Sequence, residues 1–170
     1  SSLSGEYQTA AMLAEDYDGR VHVADTHRIS VTQRQAALDA LHWVQQEKSA
    51  AEIKAYLEHD GRNSDIFIAV NTLELLKKSG RVTAAGAALG SILSIKPVLR
   101  IQGGKLDAYR KVRGMHAAMQ AMIEGLQADL QQLDCPQVML RAAYAGDRAA
   151  GIAWQAALQE AFPECTVGLD

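Results

Sequence analysis

Pro97-Val98-Leu99-Arg100-Ile101-Gln102-Gly103-Gly104-Lys105-Leu106-Asp107-Ala108-Tyr109 alternates apolar and polar side chains on both sides of a Gly-Gly pair. A period of two turns one face of a strand toward a core, and two consecutive glycines supply the positive φ angles of a tight two-residue turn. The stretch predicts a β-hairpin. Beyond it, Met115, Met119, Met122, Leu126, Leu130 and Leu133 step by three or four, the spacing of one helix face. Three methionines on that stripe suit ordinary core or an adaptable lipid-facing wall, because the thioether chain is flexible.

Strands and helices alternate on either side of the hairpin, which makes the chain an α/β protein. Ile66–Val70 is a continuous apolar run bounded by polar turns, the pattern of a central strand covered on both faces. Thr72 can cap a short helix over Leu73, Leu75 and Leu76, with Gly80 at its left-handed exit. Further upstream, Ser49-Ala50-Ala51-Glu52 spells a capping box, with Ile53, Tyr56 and Leu57 as the buried stripe behind it. Ala37, Leu38, Leu41 and Val44 place another helix between Ser30 and Lys48, Val21 and Val23 alternate as a strand, and residues 7–16 form a short helix closed by Asp18-Gly19. Downstream, Gln137–Tyr144 reads as a strand, Asp147 caps a helix reaching Phe162, and Val167 begins one more strand. Residues 84–90 are so poor in large side chains that a helix there must admit a neighbouring backbone or a ligand. The charged, Gly-containing segment 59–65 is the expected boundary between two lobes.

The composition is that of a soluble globular chain: 170 residues, 48% hydrophobic, 22% charged, with a formal net charge of −3. That charge lacks the footprint of a nucleic-acid binder, so no nucleic acid is expected as a partner. No apolar run reaches the roughly 18–20 residues of a membrane span, and a cytoplasmic protein is expected. Cys135 and Cys165 stand apart without zinc or redox spacing.

No nucleophile elbow, Walker loop, Gly-x-Gly-x-x-Gly or His-Glu-x-x-His motif occurs, and His22, His27, His42, His59 and His116 have no metal-ligand spacing. Binding without catalysis, metal or cofactor is therefore expected. Two places could hold an anion. Ser1, Ser2 and Ser4 with Gly5 stand before the first helix, where hydroxyls and first-turn amides can grip a carboxylate or phosphate, or merely cap the helix. Arg81 and Arg113 each lie between glycine and apolar neighbours, where a buried guanidinium would need an anionic partner, either a ligand or a structural carboxylate.

Residues 1–10, Ser-Ser-Leu-Ser-Gly-Glu-Tyr-Gln-Thr-Ala, resemble the opening Ser-Ser-x-Leu-Ser-Gly-Thr-Tyr-Gln-Ser-Ala of the DegV family of bacterial fatty-acid-binding proteins. Glu6 stands where that family usually has Thr, and the opening is one residue short, so Ser1 or Ser2 matches the family's second Ser. Gly80-Arg81-Val82-Thr83, Leu89-Gly90-Ser91-Ile92-Leu93-Ser94-Ile95-Lys96-Pro97-Val98-Leu99 and Lys111-Val112-Arg113-Gly114 are similar to further blocks of the family in the same order, as is Val21-His22-Val23-Ala24-Asp25-Thr26. The resemblance implies a two-lobed fold, with residues 1–62 the latter part of the first lobe and 63–170 most of the second, in a fragment of a longer protein. It implies a long-chain fatty acid as ligand, a carboxylate held by Ser1, Ser2, Ser4, Gly5 and an Arg, and an ATP-dependent fatty acid kinase as partner. Peripheral or transient membrane contact is compatible with that role. The alternative is a substrate-binding enzyme domain related to dihydroxyacetone kinases, which would need a substrate-holding His in a Gly-rich setting; no such His is present.

Overall fold

The computed structural model describes residues 4–81, 95–133 and 138–170. The expectations placed on Ser1, Ser2, the small-residue stretch 84–90 and Cys135 lie outside them. Helix α1 (Glu6–Ala14) runs into a 3-10 turn (Glu15–Tyr17) that ends at Asp18 and Gly19, both with positive φ. Helices α2 (Ser30–Gln45) and α3 (Ala50–Asp60) follow. Next come strand β1 (Asp65–Ala69) and helix α4 (Glu74–Lys78). Strands β2 (Ile95–Gln102) and β3 (Lys105–Arg113) then lead into helix α5 (Gly114–Leu130). Strand β4 (Leu140–Ala142), helix α6 (Arg148–Ala161) and strand β5 (Val167–Leu169) complete the order.

The hairpin forms as its sequence dictates. Gly103 and Gly104 adopt φ of 57° and 75°, the pair of left-handed angles that a two-residue turn needs to match the twist of its strands. β1, β2 and β3 make an antiparallel sheet in that order, with Ile68 opposite Leu99 and Leu99 opposite Ala108. One correction follows: β2, not β1, is the central strand, and among the described residues β1 is an edge. The apolar run of β1 has another cause, since both its faces are covered. Ile66 and Ile68 pack with Leu73, Leu99, Ile101 and Leu106 on one side, while Phe67 and Ala69 pack with Val98, Ala118, Ala121 and Met122 on the other.

Helix α5 lies close to the sheet because its facing residues are small. Ala118 and Ala121 are buried, and a Cβ on Gly125 would sit 2.7 Å from the Phe67 ring. The methionine stripe is mostly core at its centre: Met122 is buried and Met119 half-buried, but Met115 is exposed. Ile123 turns toward a second core with Leu140, Ala142, Leu158, Phe162 and Val167, and Trp154 touches both cores. There β4 and β5 pair in parallel across α6, whose first turn is capped by Asp147 accepting the Ala149 N–H at 2.9 Å.

Two further expectations are corrected. Val21 and Val23 do not form a strand, because alternation makes a strand only where another backbone completes its hydrogen bonds, and these residues pair in neither of the described sheets. Tyr56, expected in the buried stripe of α3, is 42% exposed and rests instead on Trp43 of α2, ring centroids 4.9 Å apart. The Ser49–Glu52 capping box is present: Ser49 Oγ accepts the Glu52 N–H at 3.3 Å and the Glu52 carboxylate accepts the Ser49 N–H at 2.9 Å.

Asp170 binds the guanidinium of Arg141 through both oxygens, with Arg34 of α2 3.9 Å away. The Arg141 hydrogen bonds hold the Asp170 carboxyl below its usual range against an opposing effect of burial. A depressed folded-state value stabilises the fold above the unfolded-state pKa, and the contribution is lost as pH falls through the folded one. Asp170→Asn should therefore cost about 1–2 kcal/mol at pH 7 and flatten the loss of stability below pH ~4. Urea unfolding at both pH values reads this directly, and equal losses at each would contradict it.

Candidate anion and lipid site

At the start of α1, Gly5 is the N-cap and supplies no side-chain acceptor, while the Glu6 N–H donates to Ser4 Oγ at 3.2 Å. Among the described residues no side chain caps the amides of Tyr7 and Gln8, which point out of the positive end of the helix dipole. Ser4 and Gly5 are exposed. Behind them α1 buries none of its residues, and Met12 and Leu13 lie 61% and 54% exposed. Leu38, Leu41 and Val44 form a second uncovered apolar face on α2.

Arg81 and Arg113 are exposed, not buried, and neither pairs with a carboxylate among the described residues. Arg81 follows the positive-φ Gly80, and its backbone N–H donates to the Leu76 carbonyl at 3.1 Å. Arg113 ends β3 opposite Ile95 and is the N-cap of α5. No hydrogen bond or ion pair joins Ser4, Arg81 and Arg113. Two recesses among the described residues, of about 270 and 430 Å³, are lined by Arg100, Lys105 and their neighbours and by Gln127, Phe162 and theirs. Neither is lined by Ser4, Arg81 or Arg113.

Sequence reading missed the loop that joins α1 to α2. Thr26 is buried, donates to Gln33 Oε1 at 2.8 Å and accepts the Arg28 N–H at 3.3 Å. Arg28 is 8% exposed and reaches Asp60 Oδ2 at 2.6 Å, the Asp60 carbonyl at 3.2 Å and Asp39 at 3.5 Å. The Asp25 N–H donates to Glu58 Oε1 at 3.1 Å. His27 and Ser30 take positive φ angles of 54° and 51°, which non-glycine residues hold only when the surroundings enforce them. Ile29 then packs on the core of the three-stranded sheet. The only signal was the concentration of Asp, Thr, His and Arg at 25–28, which has no period. No group of three or more His, Cys, Asp or Glu among the described residues could hold a metal ion. Nor is any described helix long and apolar enough to cross a membrane.

Known proteins give this geometry its context. A DegV domain-containing protein of Deinococcus radiodurans is 35% identical over 150 residues, covering 87% of this chain and 53% of that protein. A Thermotoga maritima protein named fatty acid-binding protein is 33% identical over 131 residues, covering 76% of this chain and 46% of its own. The chain thus spans about half the length of these curated relatives. A solved DegV family protein of Thermus thermophilus, titled for fatty acid binding, superposes with a TM-score of 0.79 at 30% identity, covering 99% of this chain and 60% of that one. The model of the DegV family itself matches residues 1–169, a span that takes in α1, the hairpin and β5, and the chain belongs to that family.

Proposed function

We propose that this chain is the lipid-holding part of a cytoplasmic fatty-acid carrier, with residues 1–62 and 63–170 contributing to two lobes and binding without turnover. The observation that carries the reading is the start of α1, where Ser4 Oγ accepts the Glu6 N–H and the N-cap Gly5 supplies no side chain, in a chain 33% identical to a protein named for fatty acid binding. Ser4, Gly5 and Ser1 or Ser2 would hold the carboxylate at the positive end of the helix dipole, and Arg113 or Arg81, both exposed, would complete its charge balance. Each methylene of the acyl chain sheltered from water adds about 0.8 kcal/mol, so a long chain supplies most of the affinity. The carboxylate would be offered to a separate ATP-dependent fatty acid kinase, which performs the phosphoryl chemistry.

Denaturing the purified chain and identifying released lipid by mass spectrometry tests this. Long-chain fatty acid is the expected result; glycerone binding with no lipid would support the kinase-like enzyme instead. Ser4→Ala should weaken palmitate binding about tenfold, the value of one charge-assisted hydrogen bond at an accessible site, as read by displacement of a fluorescent fatty acid. An unchanged affinity would remove Ser4 from the site.

A further inference from the structure

Arg100 of β2 carries two carboxylates from different elements. Its Nε donates to Asp65 Oδ2 of β1 at 2.9 Å, and its Nη2 donates both to that same oxygen and to Asp129 Oδ1 of α5, the latter at 2.8 Å. Because both acids rest on one nitrogen, their nearest oxygens lie within two hydrogen-bond lengths, about 5–6 Å. The three side chains are a quarter exposed or less, and the Phe67 ring covers the guanidinium, 5.3 Å from its centroid. Asp65 Oδ1 accepts the Ile66 N–H at 3.1 Å, but Asp129 Oδ2 is buried and meets no donor.

Two ionised carboxylates on one guanidinium would leave a net negative charge here and an ionised oxygen buried without a partner, and each is costly. A proton on Asp129 removes both difficulties, since the charges then balance and the buried oxygen no longer carries an unpaired ionic charge. We propose that Asp129 carries a proton beside the Arg100–Asp65 ion pair, so that a neutral carboxylic acid on Arg100 fastens the last turn of α5 to the sheet. Among the described residues, Lys105, Asp107 and Tyr109 of β3 are the charged or titratable groups that line the recess beside Arg100. Burial, and after it the charge and hydrogen bond of Asp65, raise the Asp129 carboxyl above its ordinary 3.8 despite the opposing charge of Arg100.

A raised folded-state value stabilises the fold fully below the unfolded-state pKa, and that stabilisation fades as pH rises through the folded one. Asp129→Asn mimics the neutral acid at every pH, because its amide oxygen can still accept from Arg100 and the group carries no charge. In the full chain, the folding constant of Asp129→Asn relative to the unsubstituted protein should grow between pH 4 and 7, about tenfold for each pH unit by which the Asp129 midpoint exceeds 3.8. Carboxyl-carbon NMR of the unsubstituted protein should place that midpoint above 3.8, and Asp65→Asn should lower it by removing the competing anion. A midpoint at or below 3.8, a midpoint indifferent to Asp65→Asn, or a pH-independent ratio for Asp129→Asn would each overturn the proposal.

Discussion

Leu99→Ala lowers the unfolding free energy by about 3–5 kcal/mol, the loss expected when a fully buried leucine is cut back in a core that cannot collapse around the gap. Leu99 is 0% exposed and sits mid-sheet, between Ile68 of β1 and Ala108 of β3. Its surroundings resist relaxation. The backbone is fixed by ladder hydrogen bonds on both sides, and its side-chain neighbours come from separate elements: Leu73 before α4, Ile101 of β2, Leu106 of β3 and Ile29 of the loop before α2. Urea unfolding should show a lower midpoint with an unchanged denaturant slope, the mark of lost stability without a change in the surface exposed. A loss under about 1 kcal/mol would mean that this face of the sheet is not a cooperative core.

Gly61→Ala is the second large effect, and its sign is set by tertiary contact against local preference. Gly61 ends α3 with φ −55° and ψ −25°, ordinary helical angles at which alanine would normally gain up to about 1 kcal/mol over glycine. A Cβ there would stand 2.0 Å from the Thr26 carbonyl oxygen and 2.8 Å from its carbon. Both are backbone atoms, so no rotamer change relieves the clash. Nor can the loop easily withdraw, because Asp25, Thr26 and Arg28 tie it to Glu58, Gln33 and Asp60, and Ile29 anchors its far end in the sheet core. Overpacking against so constrained a backbone should cost about 2–4 kcal/mol. Thermal and urea unfolding measure it. A stability equal to or above that of the unsubstituted chain would show that the loop yields and that helix propensity decides.

The carboxylates make acid behaviour composite. Asp170, depressed by Arg141, favours the fold above the ordinary carboxylate range, whereas Asp129, raised beside Asp65, favours it below. A single acid-denaturation midpoint would mix the two, and comparing Asp170→Asn with Asp129→Asn separates them.

Local patterns were legible wherever the physics is local. The hairpin follows from alternation and two glycines, the starts of α3 and α6 from Ser49 with Glu52 and from Asp147, and the end of α4 from Gly80, because each depends on bonds within a few residues. The ordered blocks at the chain's start, at 80–99 and at 111–114 also carried the family. Sheet order was not legible: the run 66–70 reports that two faces are covered, and says nothing of what lies at the strand's edge. The strand expected at Val21 failed for the same reason, since a strand is completed by a partner elsewhere in the chain. Tertiary structure alone decided that Arg28 and Arg100 would be gripped by carboxylates, while the two arginines singled out in sequence, Arg81 and Arg113, stay exposed. Burial of a charge depends on which distant groups converge on it, and no spacing along the chain encodes that convergence.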